Sequence, residues 1–248
     1  CDAREFCMLD TEVGQSFAEA AHYGVTSLGT GTADLVSSLG QTIYHWVEDG
    51  QALGTLQLGQ PAWIAERTGL PVISDLRARD IAAGGHGAPL AAIIDTLWLA
   101  DEPGVGIALN IGGIANITVV GGDRPFAYDT GPGNALIDAA MYLTSDGRVA
   151  QDTGGELAAH GTVRSDLLER LLADPYYQRE APKSTGKEHF NSEYLQPLLA
   201  EADTADLVAT LTELTAVTIT DACRTHRATR VIVSGGGAAN PTLMRRLR

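Results

Sequence analysis

The sequence is short of basic residues, cysteine and long apolar runs, and each shortage excludes something. Only 17 Lys and Arg stand against 31 Asp and Glu in 248 residues, a formal net charge of −14. Nucleic-acid binding sets clustered cations against phosphate, so no nucleic-acid partner is expected. The terminal run Arg245-Arg246-Leu247-Arg248 reads as the basic last turn of a helix rather than a binding patch. Three cysteines (Cys1, Cys7 and Cys223) are too few for a disulfide framework and lack metal-ligand spacing, which favours a reducing, cytoplasmic setting. The six histidines show no ligand spacing either, so no protein-held metal is assigned. No run of eighteen apolar residues occurs, and no cationic segment leading into an apolar one opens the chain, so no membrane span or leader is read from it. Neither G-x-G-x-x-G nor G-x-x-x-x-G-K-[ST] is present, and the lack of the first argues against a nicotinamide oxidoreductase.

What is there reads as a globular protein. Hydrophobic residues make up 44% and charged ones 19%, enough for one large domain or two lobes with a buried core. No repeat or low-complexity linker breaks the chain. Periodicity and turn chemistry predict a helix at 12–22, a glycine-rich loop at 29–31 and strands near 34–39, 53–58 and 70–74. A helix at 61–68 carries Pro61 in its first turn. Further helices are expected at 89–99, 135–143, 162–173 and 191–200, with a mobile loop at 178–188. The longest helix is expected at 204–224, followed by a strand at 230–234 and a helix at 241–247. Strands alternating with helices indicate an α/β fold with a mixed or parallel sheet.

Three stretches carry chemistry. Apolar runs at Val105–Ile111 and Ile117–Val120 flank Gly112-Gly113, a turn at which backbone N–H groups can approach an anion closely. Asp129 then leads into Thr130-Gly131-Pro132-Gly133-Asn134, a second glycine-rich turn ahead of a helix. The strand Arg230–Ser234 runs into Gly235-Gly236-Gly237 and, past Asn240, another helix. Strand, glycines and helix N-terminus together suit a nucleotide, and they suit tight strand–helix packing equally well. A carboxylate beside a phosphate-holding turn suggests phosphoryl transfer; two hairpin turns with a surface Asp is the alternative. Two such glycine turns, with strands and helices between, fit the two-lobed sugar kinase, heat-shock ATPase and actin architecture, a ribonuclease H-like fold.

A more specific resemblance then emerges. Gly40-Gln41-Thr42-Ile43-Tyr44-His45, Leu56-Gln57-Leu58-Gly59, the run Asp80–Pro89, Leu109–Asn116, Asp129–Asn134, Pro182–Glu188 with Phe190-Asn191, and Gly235–Ala238 occur in one order from about residue 36 to the end. Together they resemble the anhydro-N-acetylmuramic acid kinase family. The resemblance implies an actin-like fold with mixed sheets and an interlobe cleft. Residues 1–104 would be the remainder of a sugar-side first lobe, and 105–248 a nucleotide-side second lobe. It implies ATP with Mg2+, a small anhydro-sugar substrate that is opened and phosphorylated in peptidoglycan recycling, and a homodimer.

By that resemblance Asp129 is the acid that activates water. Gly112, Gly113 and Asn116 contact phosphate, and Gly235, Gly236, Gly237 and Asn240 hold the adenosine end. Gln41, Thr42, Arg79 and Asp80 sit where a polar sugar could be hydrogen-bonded, a surface Arg79–Asp80 pair being the alternative. Lys183 and Thr185 lie in a loop resembling the family's Pro-Lys-Ser-Thr-Gly element near phosphate, a solvated loop lysine being the alternative. The two glycine clusters are expected to face each other across a groove with Asp129 on its wall. The chain departs from the family at three points. It lacks the opening hairpin Gly-Leu-Met-Ser-Gly-Thr-Ser-Leu-Asp-Gly, stops before a final acidic strand–helix section, and has Leu39 where His is usual. It therefore reads as a fragment of such a kinase; a non-catalytic sugar- or nucleotide-binding relative is the alternative.

Overall fold

The structure, a computed structural model, describes residues 2–48, 51–88, 90, 92–100, 103–122 and 124–248. It divides into two compact units, Cys1–Leu90 and Ala91–Arg248.

The first unit opens with α1 (Ala3–Tyr23), whose N-terminus is closed by a capping box: the Asp2 carboxylate accepts from Glu5 N at 2.8 Å and Glu5 reaches back to Asp2 N. Strands β2 (Gln41–Glu48) and β3 (Gln51–Leu58) form an antiparallel hairpin, while β1 (Val36–Ser37) and β4 (Val72–Ile73) make a short parallel pair. Helices α2 (Pro61–Thr68) and α3 (Leu76–Ala82) complete the unit. Its buried apolar residues are few: Ala18, Leu58 and Ile64. The hairpin strand β2 is absent from the expected elements. Both its faces are largely exposed, so it carries no alternation for a half-buried strand to show.

The second unit holds the core. Helix α4 (Ala92–Leu99) belongs to it, with Leu99 buried over Gly106 and Asp95 accepting from the Thr118 hydroxyl at 2.8 Å. The start expected for this helix at Pro89 lies outside the described residues. Strands β5 (Gly106–Ile111), β6 (Ile114–Val120), β7 (Phe126–Pro132) and β8 (Arg230–Ser234) form one sheet in the order β7-β6-β5-β8. The pairs β5–β6 and β6–β7 are antiparallel and β5–β8 is parallel, so the sheet is mixed, as the α/β expectation holds.

Around it lie α5 (Ala135–Thr144), α6 (Glu156–His160), α7 (Ser165–Leu172), α8 (Ser192–Leu195), α9 (Thr204–Thr225) and α10 (Pro241–Arg246). The expected 162–173 helix is thus shorter, and the 191–200 helix shrinks to α8 followed by a 3-10 turn over Gln196–Leu198. Pro197 at the head of that turn lacks the amide a continuing helix would need.

Helix α9 is the keel of the unit. Asp203 caps it by accepting from Asp206 N at 2.9 Å. Its Leu207, Val208, Leu211 and Leu214 join Leu136, Ile137, Leu167 and Phe190 in one cluster, while Ala216 and Ile219 meet Ile107, Leu109, Ile117 and Tyr128 of the sheet in another. The buried Thr215 hydroxyl lies within hydrogen-bond distance of the carbonyls of Pro132 (3.1 Å) and Gly133 (2.8 Å), fixing α9 to the junction between β7 and α5. That junction carries the candidate site.

Candidate functional site

The site forms where β5, β6 and β7 end. The β5–β6 turn at Gly112-Gly113 is built into the start of α5. Gly133 N and Ala135 N donate to Gly113 O at 2.8 and 2.9 Å, and Asn134 N donates to Gly112 O at 2.8 Å. A Cβ on Gly133 would collide with the Gly112 carbonyl, so only glycine lets the chain close this tightly.

Asp129 lies within β7, not on a turn as expected. The ladder carries the strand through Pro132, because Gly131 takes φ 148° and a bulge at Thr130 absorbs the irregularity. Asp129 pairs with Asn116 and Gly131 with Ala115, leaving Thr130 to donate its hydroxyl to Ala115 O at 3.2 Å. Asn116 is therefore a mid-strand residue three positions from Gly113, roughly 10 Å along the strand.

The stretch from Lys183 to Lys187 links these parts. Asp129 N donates to Lys183 O at 3.0 Å, and Thr185 N donates to the Asp129 carboxylate at 2.9 Å. Two residues on, Lys187 lies over the turn: its Cε is 2.5 Å, and its Nζ 3.3 Å, from where a Gly113 Cβ would stand. The loop expected to be mobile is thus tied down by hydrogen bonds. Thr185 contributes its amide to Asp129, and Lys183 is committed elsewhere. The Lys183 ammonium donates to the carbonyls of Tyr176 (3.1 Å) and Tyr177 (3.3 Å) and rests 4.7 Å from the centre of the Tyr176 ring. Tyr176 in turn donates its hydroxyl to Asp129 O at 2.6 Å.

Burial lifts the Asp129 carboxyl from its usual 3.8 to about 6; the Thr185 amide opposes this and the nearby Glu188 carboxylate adds to it. Asp138, in the first turn of α5, is raised by burial and held down by Lys187. The sequence does not single out Asp138, nor does it give Lys187 and Glu188 a role within the Pro182–Glu188 motif, because nothing local ties them to a turn that is distant in sequence.

The second glycine cluster stands beside the first. Since β5 and β8 are parallel and Asn110 pairs with Ser234, Gly112 and Gly235 leave the same end of adjacent strands, roughly 5 Å apart. They do not face each other across a groove. Gly235 takes φ 85° and passes within 2.6 Å (measured from its missing Cβ) of the Asn110 side-chain oxygen, and a Cβ on Gly237 would strike Ile111; both are glycines of close packing. Gly236 has open space around it. Asn240 is buried and spends its side chain capping α10, accepting from Leu243 N at 3.0 Å.

The remaining expected residues lie in the first unit. Gln41 and Thr42 open β2, where the Thr42 hydroxyl accepts from Gln57 at 3.1 Å. Asp80 accepts from Gly87 N at 2.7 Å, and Arg77 donates to Gly87 O at 2.9 Å. So Asp80 works with Arg77 to shape the Gly84–Gly87 loop, and the exposed Arg79 is not its partner there.

A mixed sheet backed by helices, with a half-buried carboxylate on β7 and a glycine turn crossed by a lysine, defines an α/β protein. The family model for anhydro-N-acetylmuramic acid kinase matches residues 2–248, and the chain belongs to that family. The anhydro-N-acetylmuramic acid kinase of Streptomyces coelicolor is 60% identical over 245 residues, covering 97% of this chain and 63% of that protein. The one from Rhodococcus erythropolis is 53% identical over 255 residues, covering 98% of this chain and 64% of its own length. The chain thus spans a little under two thirds of the length of these two relatives. Among solved structures, a ROK family glucokinase from Streptomyces griseus in complex with glucose and AMPPNP aligns over 95% of this chain and 77% of that one. That alignment has a TM-score of 0.37 and 15% identity, at which no residue is carried over.

Proposed function

We propose that this chain is the main part of an ATP-dependent kinase that opens 1,6-anhydro-N-acetylmuramic acid with water and phosphorylates the freed 6-hydroxyl, in peptidoglycan recycling. The observation that carries the reading is Asp129: a half-buried carboxyl, raised to about 6, held by the Thr185 amide on the strand beside the Gly112-Gly113 turn. A base with that affinity is ionised at neutral pH yet still takes up a proton readily. Asp129 would remove a proton from water as the water oxygen bonds to the anomeric carbon. The bond from that carbon to the bridging oxygen breaks, and the bridging oxygen takes the γ-phosphoryl group while ADP leaves. Glycine amides at Gly112-Gly113 would meet the phosphates, and the neighbouring Gly236 edge would lie toward the adenosine.

Among the described residues no cluster of three His, Cys, Asp or Glu could hold a metal by itself. Mg2+ is ordinarily carried by one or two carboxylates together with substrate phosphates, so it would arrive with the nucleotide's phosphates. Bound there, the ion would neutralise phosphate charge. Gln41, Thr42, Arg79 and Asp80 of the first unit are proposed for the sugar side, with Asp80 acting through the loop it shapes. No helix among the described residues is long and apolar enough to cross a membrane; a cytoplasmic homodimer is part of the reading by family resemblance alone.

The test is phosphorylation of the anhydro sugar by the complete gene product. ATP-dependent formation of the 6-phosphorylated, ring-opened sugar supports the reading, and binding of sugar or nucleotide without turnover favours the non-catalytic alternative.

A further inference from the structure

Two lysines flank the segment that joins Asp129 to the glycine turn, and the structure gives them opposite work. Lys183 is held by two carbonyls and an aromatic face, and its ammonium is partly desolvated. Such a cation closes a loop and has little left for a ligand. Lys187 is exposed, forms no ion pair within 4 Å among the described residues, and runs its stem through the space that a side chain at position 113 would fill. Gly113 is therefore the residue that lets a cation lie directly on the turn. The Lys187 charge also reaches Asp138 on the first turn of α5, drawing its carboxyl down against the effect of burial.

We propose that Lys187 is the cation that meets the nucleotide's phosphate oxygens at the Gly112-Gly113 turn, and that Lys183 only anchors the loop. The proposal rests on the nucleotide reading above. It also gives the Thr185–Lys187 segment a double task. One end holds the base through the Thr185 amide, and the other brings positive charge to the group being transferred.

The experiment compares the complete protein with its Lys187→Gln, Lys187→Arg and Lys183→Gln variants. ATP affinity is read by calorimetry, turnover with ATP and the anhydro sugar by product formation, and folding by thermal melting. Removing one preorganised contact to developing charge costs on the order of 10²-fold, so Lys187→Gln should lose about that much in kcat/KM for ATP with its melting temperature unchanged. Lys187→Arg should recover most of the loss, while Lys183→Gln should melt earlier and lose less turnover than Lys187→Gln. Parental kcat/KM and ATP affinity in Lys187→Gln would overturn the proposal, as would an arginine variant as impaired as the glutamine one. A parent that binds ATP without turning over the sugar would sink the kinase reading alone, and calorimetry of Lys187→Gln would still judge Lys187. A parent that binds no ATP would sink both.

Discussion

The two glycine turns at one end of the sheet look alike in sequence and differ in physical reason. Gly235 and Gly237 are glycine because Asn110 and Ile111 of the next strand leave no room for a side chain. Gly112 and Gly113 are glycine where the turn closes on the start of α5 and where Lys187 crosses. One turn is a packing device with a single open position, Gly236. The other gathers an acid, a cation and a helix start around it. A run of glycines thus marks close approach without saying what approaches, a neighbouring strand or a ligand; neighbours at a distance in sequence decide.

The sharpest way to break this contrast is at the acid. Asp129→Asn keeps shape and the acceptor for the Thr185 amide while removing the base, and turnover of the anhydro sugar should fall about 10²–10⁴-fold. A variant with more than a tenth of parental turnover would remove Asp129 from the mechanism. The same change should stabilise the fold. Because burial raises this carboxyl, the folded protein favours its neutral form. That stabilisation is present below the usual 3.8 and is lost as pH rises through about 6. At pH 8 the asparagine variant should therefore gain about 2–3 kcal/mol in denaturant unfolding. Loss of stability instead would mean that the ionised carboxylate is held favourably.

Next in size come the glycines. Gly237→Ala forces a methyl group into fully buried Ile111 and should cost about 1–3 kcal/mol in a melt. Gly236→Ala meets open space and should change stability by less than about 0.5 kcal/mol. Any fall in ATP affinity it shows then reports a ligand contact. Equal destabilisation by both would erase the distinction within this turn.

Much of this architecture was legible beforehand, for identifiable reasons. Pro61 at the head of α2, the apolar face of α9 behind Asp203, and the apolar run of β8 are local signals, and the structure places those elements within a residue or so of expectation. The course of β7 was not legible, since Gly131-Pro132 spells a turn and only the bulge at Thr130 lets the ladder continue. Nor was the side-by-side placement of the two glycine clusters, which depends on β5 pairing in parallel with a strand more than a hundred residues later. Lys183 stood out in its motif and proved to be an anchor. Lys187, four residues on, gains its meaning from Gly113, which no local pattern connects to it.

The account turns on burial having prepared Asp129 as a base, and the direct measurement is an NMR titration of its side-chain carboxyl in the complete protein, assigned with the Asp129→Asn variant. The account predicts a midpoint near 6, matched by a rise in kcat through the same pH range that the variant lacks. A midpoint near the ordinary 3.8, with kcat flat between pH 5 and 8, would contradict it.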